Sequence, residues 1–225
     1  MPLKRTKEPF RFYTRLHLRE LTGQKASNLS ELLTIIKEAP AAVIYHHTHH
    51  FLQQHQYLSP EPPNDFAYWV REVLNEDVLA EQLSSIDTLE FGSVSSLRDK
   101  IAEVIEKYLT KAKRKETAAP EGEEFYFIKS ISFILPTDYV AYSLREFRNI
   151  LKKITINAIY FHMFEARLRL EKKTNDFSLW LKTALDEPGL AKTISELDLY
   201  SHTMEGLRAK IIGLIDRRLK DARNR

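Results

Sequence analysis

Ile44-Tyr45-His46-His47 returns as Ile159-Tyr160-Phe161-His162 at an offset of 115, and Asn64-Asp65-Phe66-Ala67-Tyr68-Trp69 returns as Asn175-Asp176-Phe177-Ser178-Leu179-Trp180 at an offset of 111. Working outward, Leu74, Glu76, Leu79, Ala80, Ser84 and Asp87 match Leu185, Glu187, Leu190, Ala191, Ser195 and Asp198 at that same second offset. Leu97-Arg98-Asp99-Lys100-Ile101 matches Leu207-Arg208-Ala209-Lys210-Ile211, and upstream Phe10, Phe12, Leu29, Ile35 and Lys37 match Phe125, Phe127, Leu144, Ile150 and Lys152. The order is colinear with two short gaps, which reads as an internal duplication. A basic tail covers 1–9, copy one 10–110, a charged linker 111–124 and copy two 125–222.

Each copy opens on an alternating stretch, Phe10-Arg11-Phe12-Tyr13-Thr14-Arg15-Leu16-His17-Leu18 or Phe125-Tyr126-Phe127-Ile128-Lys129-Ser130-Ile131-Ser132-Phe133-Ile134-Leu135. Alternation with aromatic and β-branched residues predicts a strand. Helical periodicity follows, first in Leu29, Leu32, Leu33 and Ile36, later in Phe66, Trp69, Val70, Val73 and Leu74. The expected fold is therefore mainly α: two homologous helical halves, each with a short β-strand at its start, packed about a pseudo-twofold axis. A lone strand cannot satisfy its own backbone, so the two strands are expected to pair.

The chain has 225 residues, 34 Lys+Arg against 31 Asp+Glu, and no Cys. A net charge of +3 spread among acids excludes nothing about partners, and the lack of Cys removes disulfides and every thiolate site. No apolar run approaches the ~18 residues of a membrane span, and the basic N-terminus has no apolar segment behind it. A cytoplasmic protein without membrane contact is expected. No phosphate-cradling loop, dinucleotide fingerprint or nucleophile elbow is present, and no aromatic-basic motif supports nucleic-acid binding.

The run Leu18-Arg19-Glu20-Leu21-Thr22-Gly23, the Ile-Tyr-x-His element, Asn-Asp-Phe-x-x-Trp and Leu-Arg-x-Lys-Ile together resemble an uncharacterised bacterial family known only as a domain of unknown function. The resemblance covers nearly the whole chain and implies no activity.

Candidate site residues are those that both copies keep. His47 and His162 are the first, since histidine is the usual general acid, base or ligand; the competing reading is a buried ring tied to a backbone carbonyl or a nearby Asp. Asn64-Asp65 and Asn175-Asp176 sit where helix N-caps belong. Tyr45 and Tyr160 accompany the histidines as ligand or partner candidates. Arg98 and Arg208 read either as an anion site or as ion pairs to Asp87 and Asp198. His46, His49 and His50 form a weak metal candidate, with His46 and His50 at the i, i+4 spacing of helical ligands. Copy two has Phe161, Phe164 and Glu165 there, so no cofactor is expected beyond incidental zinc or nickel affinity. The Pro-rich loop Gln56–Pro63 is a further place for copy-specific function.

Taken together these features point to a non-catalytic binding or scaffolding module, with a small ligand or protein partner between the halves and homo-oligomerisation left open. The alternative is an enzyme using His47 or His162 as a base, or a metal in the His46–His50 cluster.

Overall fold

The computed structural model describes residues 4–50, 63–111, 117–166, 174–198 and 203–223. The Pro-rich loop singled out above lies outside them, except for Pro63. Element order is β1 (Arg5–Ala26), α1 (Leu29–Glu38), α2 (Ala41–Tyr45), a π-helical turn (His46–His50), α3 (Asp65–Glu72), α4 (Asp77–Ser84), a 3₁₀ turn (Thr88–Glu90) and α5 (Val94–Lys111). Then come β2 (Phe125–Ser143), α6 (Leu144–Leu151), α7 (Ile156–Tyr160), a second π turn (Phe161–Glu165), α8 (Asp176–Thr183), α9 (Pro188–Ser195) and α10 (Met204–Arg223).

Two features of the expected fold need correction. The strands are not short: β1 has 22 residues and β2 has 19, and they form one two-stranded antiparallel sheet. Nor does each half own the strand that opens it. Among the described residues the chain forms two compact units, one of 4–16 with 133–223, the other of 17–50 with 63–132. Each strand is divided between the units, so two self-contained halves, each holding its own opening strand, are not what the chain builds. The reason is physical: one strand leaves rows of backbone donors and acceptors unpaired, and pairing with the other strand satisfies one row of each.

In the first unit Phe10 and Phe12 of β1 are buried against Phe147 of α6 and Phe177 of α8, and Phe10 also meets Trp180, with ring centroids 5.3–6.2 Å apart. Such aromatic contacts prefer the edge-on and tilted geometries seen here. Trp180 Nε1 donates to the Glu8 carbonyl at 2.9 Å, a second tie on that strand segment.

In the second unit the roles pass to β2. Phe125 packs on Phe66 and Trp69, and Phe127 is fully buried in the same core as Leu32, Ile36, Val70, Leu79 and Ile101. Trp69 Nε1 donates to the Glu123 carbonyl at 2.7 Å. Lys25 near the end of β1 meets Glu124 just before β2, holding the Glu124 carboxyl down at about 2. The tie is complete above the ordinary carboxylate range and disappears as pH falls towards 2. In a carboxyl-carbon NMR titration of Lys25→Met, the Glu124 midpoint is expected to rise but to stay below the ordinary carboxylate range, because its own backbone N–H and that of Gly122 still donate to the carboxylate.

Caps start the helices where the sequence places Asn and Ser. Asn64 and Asn175 accept from Ala67 N and Ser178 N, and Ser143 caps α6 through Glu146 N while Glu146 reaches back to Tyr142 N. Buried Asn64 also donates to the Leu83 carbonyl. Asn64→Ala is therefore expected to lower stability by about 1–2 kcal/mol, above the ~1 kcal/mol of Ser143→Ala, as read from thermal melts.

Candidate functional site

The π turns follow directly on α2 and α7, and each carries a conserved-spacing histidine whose ring is about 97% buried. One-turn π segments often occur at functional positions, because the extra residue re-aims the side chains it carries. Here it aims the imidazole into the gap between a helix start and a strand edge.

His162 Nδ1 lies 2.7 Å from Asp176 Oδ2, and Asp176 is the first residue of α8, directly after its Asn175 cap. Its Nε2 lies 2.9 Å from the backbone N of Tyr13 on β1. Phe10 and Phe177 close on the ring at 4.9 and 5.4 Å. In the other unit His47 is wired the same way: Nδ1 to Asp65 Oδ2 at 2.7 Å, Nε2 to the Ile128 N of β2 at 2.9 Å, with Phe66 and Phe125 beside it.

These contacts fix the proton. A backbone N–H can only donate, so Nε2 must be the bare nitrogen, and Nδ1 carries the hydrogen that Asp accepts. Both ring nitrogens are then engaged, and the one lone pair, on Nε2, is taken by the strand amide. The order of exposure is also the reverse of a catalytic dyad. There the carboxylate lies inside and the imidazole faces the reactant. Here the imidazoles are 3% exposed while Asp65 and Asp176 are 31% and 15% exposed. As arranged, the pair clips a strand edge to a helix and covers an N–H that the ladder leaves open.

Around the shared clasp the units differ. In the first, Arg15 of β1 pairs with Glu165, a carboxylate buried to 1% exposure. In the second, His46 Nδ1 meets the hydroxyl of Ser130 at 2.8 Å, and Tyr45 is stacked between His17 and His49 with centroids 5.5 Å away on either side. Tyr160 instead stacks on Phe164 at 4.7 Å. The arginines do not join the histidines: Arg98 reaches Asp99 and the Ala39 carbonyl, and Arg208 meets Glu205. The Arg15–Glu165 pair was not legible in the sequence; the offset that aligns Arg15 with Ser130 is its only trace.

His46, His47 and Asp65 bring one ligand atom each within 4.8 Å of one another. They do not fit a metal. A cation on His47 Nδ1 would leave the ring's remaining proton on Nε2, facing the Ile128 N–H, and a cation on Nε2 would displace that N–H outright. His49 lies on the same turn, stacked on Tyr45, and the His50 side chain lies outside the described residues. Zinc added to the full chain is expected to give the same calorimetric isotherm for wild type and His46→Phe.

Two concave surfaces occur within single units. A shallow groove of about 480 Å³ in the first is walled by Phe10, Tyr13, Ile134, Phe161, Leu179 and Trp180, with Arg11, His162 and Asp176 also lining it. A pocket of about 470 Å³ in the second mixes Lys100, Lys107 and Lys111 with Asp87, Glu90, Phe91 and Tyr108. No helix among the described residues is long and apolar enough to cross a membrane.

Fold and site together define a largely helical chain in which an Asp-tied histidine clips a strand edge in each of two units. The chain belongs to a family of unknown function (DUF5752), whose model matches residues 7–216. It is similar to the solved structure of OrfY from Thermoproteus tenax, with 30% identity, a TM-score of 0.79 and coverage of 95% of this chain and 97% of that one. No curated protein matches it.

Proposed function

We propose that the chain is a non-catalytic binding or scaffolding module, and that its small ligand or protein partner occupies the aromatic-walled groove of the first unit. The observation that carries this reading is the state of the two histidines. They are the residues best suited to acid–base chemistry, yet each spends one ring nitrogen on a strand amide and the other on a helix-start carboxylate. The groove supplies what recognition needs instead: apolar and aromatic walls with a few polar groups at their margin.

The test is a ligand-observed NMR screen of an aromatic fragment library against the full chain, repeated on Ile134→Glu. Ile134 is 49% exposed, so the substitution leaves the core alone. Fragments that bind wild type are expected to weaken at least tenfold with an unchanged melting temperature. Equal binding to the variant removes the groove from the proposal.

A further inference from the structure

We propose that His162 is an acid-released latch on β1, a property that does not depend on what occupies the groove. The latch exists because the Tyr13 amide donates to Nε2 across 2.9 Å. A proton placed on Nε2 turns that contact into two N–H groups face to face. Imidazolium and this position of the strand edge are therefore mutually exclusive, and the Tyr13 amide must move away when the ring charges. An unperturbed histidine gains its charge between pH ~8 and ~5; at His162 burial and the N–H donated to Nε2 oppose that charge, and the Asp176 carboxylate favours it.

The other half of the clasp survives. Asp176 accepts from Nδ1–H in either state and attracts the imidazolium more strongly than the neutral ring. Protonation thus keeps the ring on α8 and lets go of the strand. Among the charged groups on the elements packed around the ring, Asp176 opens α8, Glu165 shares its π turn, and Arg11 and Arg15 flank Tyr13 on β1, while Lys182 lies in the last turn of α8. Glu165 and Arg15 are committed to each other, and Arg11 is exposed. The second tie on this strand segment, Trp180 Nε1 to the Glu8 carbonyl, contains no group that titrates in this range. Release is accordingly local to Tyr13, with the start of β1 held in place.

The experiment is amide hydrogen exchange on the full chain at pH 7.5 and 5.0, corrected for the intrinsic pH dependence of exchange, with the Trp180 indole N–H as internal reference. Protection at Tyr13 is expected to fall at least tenfold at pH 5.0 while the indole stays protected. His162→Gln supplies a side-chain oxygen that can accept the same N–H at any pH, and is expected to abolish the step. Should that variant not fold, Asp176→Asn serves: it removes the charge that favours imidazolium, and the step is expected to move to lower pH. Unchanged Tyr13 protection between the two pH values, or nitrogen chemical shifts placing the His162 proton on Nε2 at pH 7.5, overturns the latch.

Discussion

Arg15→Met is expected to destabilise the protein by about 3–5 kcal/mol, the usual cost of breaking a buried ion pair from one side. Glu165 is 1% exposed, and without Arg15 its carboxylate loses this ion pair where water cannot replace it. Glu165→Gln should cost less, because the Arg15 side chain it leaves behind is 20% exposed and can hydrate. Replacing both, as Arg15→Met with Glu165→Leu, should recover most of the loss, since a well-packed apolar pair often equals a buried ionic one. Urea titrations of the three variants check the order. The deficit of Arg15→Met should also narrow as pH falls, because burial favours the neutral form of the Glu165 carboxyl once Arg15 is gone.

The second large effect is expected at the clasp itself. His162→Ala removes a ring that meets Asp176, the Tyr13 amide, Phe10 and Phe177 at once. It removes the acceptor of the Tyr13 amide and the ring donor to Asp176, and opens a cavity among aromatic rings. Unsatisfied buried groups cost about 1–3 kcal/mol each, so a total near 3 kcal/mol follows, with Asp176 partly relieved by its exposure. His47→Ala should behave alike through Asp65 and Ile128. His162→Gln should lie well above His162→Ala in thermal melts, because the amide oxygen restores the bond to Tyr13. If the alanine variants melt with wild type, the rings are not structural and the functional reading moves back onto them.

How much of this was legible beforehand can be argued residue by residue. The helical faces of Leu29, Leu32 and Ile36 or Phe66, Trp69 and Val70 were readable because burial follows helical spacing along the chain itself. The Asn caps were readable for the same reason, since a cap and the amide it accepts are three residues apart. The pairing of His47 with Asp65 and of His162 with Asp176 was within reach, because both partners recur together at 18 and 14 residues of separation.

Nothing local announced the π turns. Their widened geometry comes from the strand and helix that the turn must bridge, not from a distinctive composition, as His46-His47-Thr48-His49-His50 and Phe161-His162-Met163-Phe164-Glu165 share only the histidine at their second position. The length of the strands was also missed, because the middle residues of β1 and β2 are largely exposed and carry no burial signal.

By itself the sequence determined the helices, their buried faces, their caps and the recurrence of one histidine and one Asn-Asp step. Only the tertiary structure decided what those histidines do. The amide that each ring holds lies 149 or 81 residues away, on the strand that opens the other stretch of the repeat. Periodicity states that a residue will be buried; it does not state against which distant backbone. That choice follows from the antiparallel pairing of β1 with β2, which carries Phe10 and Phe12 to one set of helices and Phe125 and Phe127 to the other. With the strand edge delivered to the imidazole, its lone pair is committed, and a residue type suited to chemistry becomes a fastening.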